Sequence, residues 1–228
     1  IRAVLWYQGC SDTEYEETAS SYKRRLKNVI LQSRADLGDS LLPWFLLQIN
    51  KTTSPAPESH ARWGTVREQQ RQAAGEIPRV YLIPTIDGIP SDSIHNNCFS
   101  NIMIGERLAK TVAVELYGDR RQPLAPALIS AAADSDRMCV VLTFTNVRGG
   151  LCSHSDQIIP FTILDQNGNE LKICRIEYGK NTITLSMSAP LPPKATAACL
   201  WQADAMGSAL FDEASRIPVV PFYDVEIL

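Results

Sequence analysis

The 228 residues are 45% hydrophobic and 21% charged, with a formal net charge of −3 at neutral pH. Weak acidity argues against nucleic acid and anionic membrane as main partners. No apolar run approaches the ~18 residues that a membrane span needs. The chain opens on a strand-like run, IRAVLWYQG, with Ile1–Tyr7 read as strand. That opening suggests the carboxyl-terminal part of a longer product. Glu14–Leu37 reads as a helix, with Tyr15, Thr18, Tyr22, Leu26, Val29, Ile30 and Leu37 on one stripe. Gly38 and Pro43 end it. Trp44–Ile49 is apolar on both faces, as a covered parallel strand would be. Asn50–Ser59 is a loop, His60–Ala74 a helix, Val80–Thr85 a strand and Phe99–Leu116 a helix. Strands alternating with helices predict a parallel sheet with right-handed crossovers.

From about Pro123 the pattern changes to short β-branched or alternating runs. These are Leu128–Ala132, Cys139–Phe144, Ile158–Leu164, Glu170–Tyr178, Thr182–Met187, Ala195–Trp201 and Val219–Tyr223. Turn signals such as Gly149-Gly150 and Asn167-Gly168 separate them. Residues 123–228 are therefore expected to form a small, immunoglobulin-like β-sandwich, after an α/β unit over 1–122.

Candidate chemistry gathers where the predicted strands end, because an open α/β sheet binds ligands outside the carboxyl ends of its strands. Gly9 lets the backbone approach a ligand closely, and the Gln8 amide can donate to a developing oxyanion. The spacing fits equally a turn glycine beside a solvated glutamine. His95 follows the third strand, with Asp92 three residues before it, placed to hold the imidazole and fix its tautomer. A surface histidine is the plain alternative. Arg67 is either solvated charge or a support under the loops. His60 and His154 read as incidental. None of the six cysteines forms a C-x-x-C pair, so neither metal nor redox motif is expected. Most read as buried hydrophobes. A disulfide among the four beyond residue 135 would suit an exported protein.

These segments resemble the sialate O-acetylesterase-like carbohydrate esterases of the SGNH (GDSL-type) hydrolase superfamily. WYQGCSD is similar to that family's WYQGES(N/D) block, and PWFLLQI to its LPF-x-x-x-Q-L strand. The resemblance continues in W-x-x-x-R-E-x-Q at Trp63–Gln70, in D-x-x-x-x-D-x-I-H at Asp87–His95, in IGERLA from Ile104 and in Tyr117-Gly118. It extends to Gly149-Gly150-Leu151, Phe161, Trp201 and IPVVPF from Ile217.

The resemblance implies a partial flavodoxin-like SGNH sheet followed by the β-sandwich. It also implies hydrolysis of acetyl esters on sialic acid or related glycans, without metal or organic cofactor, in the periplasm or outside the cell. His95 would be the base, Asp92 its partner, and Gln8 with Gly9 part of the oxyanion region. The family's serine block lies upstream of WYQG, so the nucleophile is expected on an upstream serine-bearing segment, and neither Ser11 nor Ser93 replaces it. Two departures stand out: Cys10 occupies the place of the block's glutamate, and Asn96 that of a proline after the histidine, which should loosen the loop. They leave open a non-catalytic relative that binds glycan or packs domains. They also leave open a thiol hydrolase using Cys10 with His95.

Overall fold

The computed structural model describes residues 1–154 and 158–228. The described chain divides into two compact units. One holds Ile1–Gln122 together with Trp201–Ala205, the other Pro123–Leu200 and Met206–Leu228. The expectation of an α/β part followed by a β-rich part describes this architecture. Trp201–Ala205, read in the sequence partly as strand, packs instead with the α/β unit.

In the first unit β1 (Val4–Trp6), β2 (Trp44–Leu47) and β3 (Val80–Ile83) form a parallel sheet in the order β1-β2-β3. Val4 lies opposite Trp44, and Trp44 opposite Val80. β2 is central and buried at every position, which explains its unbroken apolar sequence. β1 is an edge strand, with Leu5 57% exposed.

The long helix expected over Glu14–Leu37 is divided. After a single 3-10 turn at Cys10–Thr13 come α1 (Glu16–Ser20) and α2 (Tyr22–Asp36). The break falls at Ser21, whose backbone leaves helical values and whose hydroxyl donates back to Glu17 O at 2.7 Å. The division changes the stripe: Tyr22, Leu26 and Ile30 are buried, whereas Tyr15, Val29 and Leu37 are exposed. α3 (Ser59–Glu76) and α4 (Cys98–Tyr117) fall where the pattern put them. α4 begins with Asn97 accepting the Ser100 N–H and ends at Gly118 in the left-handed region. The core gathers Trp44, Leu46 and Ile49 with Tyr22, Leu26 and Ile30 of α2 and Trp63 and Val66 of α3.

The second unit contains two four-stranded antiparallel sheets. β4 (Ala127–Ala133), β5 (Cys139–Thr145), β9 (Ile173–Tyr178) and β10 (Thr182–Met187) form one, in the order β4-β5-β10-β9. β7 (Phe161–Leu164), β8 (Glu170–Leu171), β11 (Thr196–Cys199) and β13 (Phe222–Glu226) form the other, in the order β13-β11-β7-β8. β6 (Leu151–Cys152) and β12 (Phe211–Asp212) make a two-stranded ribbon that the sequence pattern did not reveal. The single run Glu170–Tyr178 supplies β8 and β9 to different sheets. Phe144 and Phe222, one from each sheet, meet at 6.4 Å in the core. All six cysteines are free, so no disulfide links the four beyond residue 135.

One buried ion pair fixes the segment after β3. Arg107 of α4 donates to Asp87 through both terminal nitrogens, at 2.9 and 2.6 Å, and to Pro84 O at 2.5 Å. Removing one member of such a pair strands the other charge, so Asp87→Ala should cost about 3–5 kcal/mol. Urea unfolding measures it. Asp87→Leu combined with Arg107→Met should recover most of the loss, and a single-variant cost under about 1 kcal/mol would mean the pair is not what holds the segment.

Candidate active site

Two segments of the α/β unit enclose a cavity of about 400 Å³ at the carboxyl edge of the sheet. Tyr7, Gln8, Gly9, Cys10 and Ser11 come from the end of β1 and the turn after it. Ile94, His95 and Asn96 come from the loop after β3, and Asn101 from α4. The structure thus brings Gln8, Gly9, Cys10 and His95 to one cavity, with Asp92 bonded behind His95.

Gly9 makes the first turn possible. Its φ is +141°, where side chains are strained, and an added Cβ would stand 2.9 Å from Ile49 Cγ2. Around it the main chain is fixed from below. The Gln70 amide donates to Gln8 O at 3.1 Å, while its oxygen accepts the Ile49 N–H at 2.9 Å. The Tyr22 hydroxyl also donates to Gln8 O, at 2.9 Å. The Gln8 amide donates to Asp12 Oδ2 at 2.5 Å, and Arg25 donates to the other Asp12 oxygen. An amide nitrogen carries two hydrogens, so one remains for a ligand.

The second segment organises itself. Asp92 Oδ1 accepts the N–H groups of Ile94 at 2.9 Å and His95 at 2.8 Å. Asp92 Oδ2 lies 2.8 Å from His95 Nδ1. The pair therefore presents Nε2 outward from an imidazole that is 75% exposed.

Asn96 does the opposite of loosening the loop. Its amide donates to the Tyr7 hydroxyl at 2.9 Å, and its oxygen accepts from Asn50 Nδ2 at 2.5 Å. Thr85 Oγ1 lies 3.3 Å from the Tyr7 hydroxyl and spends its own proton on Gln48 O at 2.6 Å. Tyr7 therefore donates to Thr85, and the chain Asn96–Tyr7–Thr85 ties the histidine loop to β1 and to the segment after β3. Burial pushes the Tyr7 hydroxyl pKa up from a value already well above neutral pH.

Arg67 is neither solvated nor on the cavity wall. It is fully buried and donates to the carbonyls of Ile49, Asn50, Trp201 and Gln202 at 2.8–3.2 Å, with a further, shorter bond from Nη2 to Asn50 O. Burial lowers its pKa to about 9, still above neutral pH. His60, read as incidental, accepts the Ala203 N–H at 3.0 Å and packs edge-on against Trp201. Arg67 and His60 together seat Trp201–Ala205. Sequence reasoning gave no role to Tyr7, Asn50 and Gln70 and the wrong one to Asn96, because their partners lie up to 89 residues away.

Cys10 lines the cavity, and burial raises its thiol pKa, with the Arg67 charge pulling the other way less strongly. That balance disfavours the thiolate a nucleophile requires. Among the described residues no three His, Cys, Asp or Glu side chains group as a metal site would need.

Asp92 is held at a pKa of about 2, against an ordinary 3.8, first by the His95 N–H, then by that of Ile94, then by the imidazole. A depressed carboxylate orders its loop fully above the unfolded value and loses that effect as pH falls through the folded one. In an NMR titration the Asp92 carboxyl carbon should therefore show its own protonation step near 2. A midpoint at the ordinary value would show that the loop does not hold the carboxylate.

The family model for carbohydrate esterases described as sialic acid-specific acetylesterases matches residues 1–114. A carbohydrate acetylesterase from Xanthomonas citri is similar in structure, with a TM-score of 0.80 and 22% identity over 97% of this chain. This chain spans 50% of that one, about half its length. A protein from Arabidopsis thaliana is 27% identical over 51% of this chain and 44% of its own, with a TM-score of 0.44. No curated protein matches.

Proposed function

The chain belongs to the sialic acid-specific acetylesterase family of carbohydrate esterases, and on that premise we propose that it carries the acid/base and oxyanion half of a serine esterase removing O-acetyl groups from a sugar. The observation that supports this most is the Asp92–His95 pair, whose free imidazole nitrogen opens onto the cavity shared with Gln8 and Gly9.

In this reading an acetyl ester enters the cavity with its carbonyl oxygen toward Gln8 and Gly9. His95 Nε2 takes the proton of a serine hydroxyl as it attacks the carbonyl carbon, and Asp92 steadies the imidazolium through Nδ1. The second hydrogen of the Gln8 amide and the Gly9 N–H face the negative oxygen of the tetrahedral intermediate. His95 then returns the proton to the departing sugar hydroxyl. A water activated by the same nitrogen releases acetate.

In this reading the attacking serine comes from a segment other than these 228 residues, as the order of the family's motifs implies. The substrate is a 9-O-acetyl sialic acid or a related acetylated glycan, and the setting is the periplasm or the cell exterior. No helix among the described residues is long and apolar enough to cross a membrane. Cys10, in place of the family's glutamate, gives a second reading some support. In it the fold binds glycan or packs domains without turnover, since an un-ionised thiol cannot assist the histidine.

Turnover separates the two. In the protein that carries both this chain and the serine segment, His95→Ala should lower kcat on p-nitrophenyl acetate by roughly 10²–10⁴-fold with little change in Tm. Asp92→Asn should cost less, because the base survives. Full activity in His95→Ala would remove the assignment.

A further inference from the structure

A second cavity, of about 370 Å³, adjoins the first. Cys10, Ser11 and Ile94 line both, so the two cavities meet at these side chains within the α/β unit. The second cavity has a different chemistry. Its wall includes Arg62, Tyr15, Glu14 and the hydroxyls of Thr52, Ser54 and Ser59.

Arg62 sits in the first turn of α3 and is half-buried. Its Nε donates to Thr13 O at 2.7 Å, in the turn that follows Cys10. That bond fixes the plane of the guanidinium and leaves both terminal amino groups for another partner. The exposed Glu58 is the N-cap of α3 and no acidic residue lies within its first turn, so Arg62 is a cation at the positive end of a helix dipole, with one solvated carboxylate beyond it. Local stability does not favour that placement. An anion in the cavity would meet the guanidinium and the helix end together. Glu14 shares the wall but is exposed, as is Glu58 at the helix end, so solvent screens both carboxylates; Arg62 is more enclosed and is screened less. Tyr15, 67% exposed, offers a flat face on which a sugar ring can stack.

Building on the esterase reading above, we infer that Arg62 receives the carboxylate of an acidic sugar in this second cavity while the acetyl ester of the same sugar reaches His95 in the first. A planar guanidinium with two free amino groups matches a carboxylate with two parallel hydrogen bonds. Arg62 is thus the residue that distinguishes acidic from neutral acetylated sugars.

The test compares 9-O-acetyl-N-acetylneuraminic acid with its methyl ester, which keeps the ring and the acetyl group and loses the negative charge. The wild-type protein should favour the free acid by about tenfold or more in kcat/KM, mainly through KM, as one charge-assisted bidentate contact would give. Arg62→Gln should bring the two substrates to the same kcat/KM, and Arg62→Lys should restore part of the preference. Binding of unacetylated N-acetylneuraminic acid, followed by Tyr and Trp fluorescence or NMR shifts, reads the same contact without turnover. Arg62-dependent binding in a protein that hydrolyses neither ester nor p-nitrophenyl acetate would uphold the carboxylate site and remove the esterase reading. Equal treatment of acid and methyl ester by the wild-type protein, or unchanged preference and binding in Arg62→Gln, would overturn the inference.

Discussion

The architecture of this sheet edge rests on one requirement: main-chain polar groups that leave the ladder while still buried must find partners. β1 and β2 stop inside the unit, and the carbonyls of Gln8, Ile49 and Asn50 then lack strand neighbours. Side chains of α2 and α3 take over. Gln70 spans Gln8 O and the Ile49 N–H, Tyr22 adds a second bond to Gln8 O, and Arg67 collects Ile49 O and Asn50 O. Arg67 keeps its positive charge among carbonyl dipoles aimed at it. Its role is to hold together backbone segments that are distant in sequence.

The cavity inherits its rigidity from that arrangement. One wall, the Gln8–Ser11 turn, is set by groups beneath it and by a glycine in a conformation other residues adopt only under strain. The opposite wall is a short loop closed on Asp92, joined to the first through Asn96 and Tyr7. Both walls are held by the protein's own groups. Preorganisation of this kind is what lets a donor or base contribute in a transition state without reorganising at that moment. The cavity stays open above, and the exposed imidazole faces into it.

Sequence reading went furthest where the geometry is local to the chain. Asp92 and His95 lie three residues apart in one loop, and the turn at Gln8 and Gly9 directly follows a strand, so type and spacing sufficed to nominate them. It failed where a partner is a main-chain group far along the chain. Nothing near Arg67 indicates that its guanidinium meets Trp201 O, and nothing near His60 indicates the Ala203 N–H. Trp201 looked like the end of a strand because an aromatic follows an apolar run, yet β11 ends at Cys199 and Trp201–Ala205 serves the other unit. Asn96 was misjudged for a related reason. Losing a proline suggests a looser loop, but an asparagine can add two hydrogen bonds, and here both are made. Arg62 went unremarked because the free amino groups that set it apart are visible only once its Nε partner is known.

Asp92 fixes the imidazole of His95 with its Nδ1 proton inward and Nε2 free toward the cavity. Nitrogen-15 NMR of the histidine side chains, at a pH where His95 is neutral, reads this directly. The His95 spectrum should be dominated by the tautomer protonated at Nδ1, shifting toward the Nε2-protonated form or a mixture in Asp92→Ala. A wild-type spectrum already dominated by the Nε2-protonated form, and unaltered by Asp92→Ala, would contradict this arrangement.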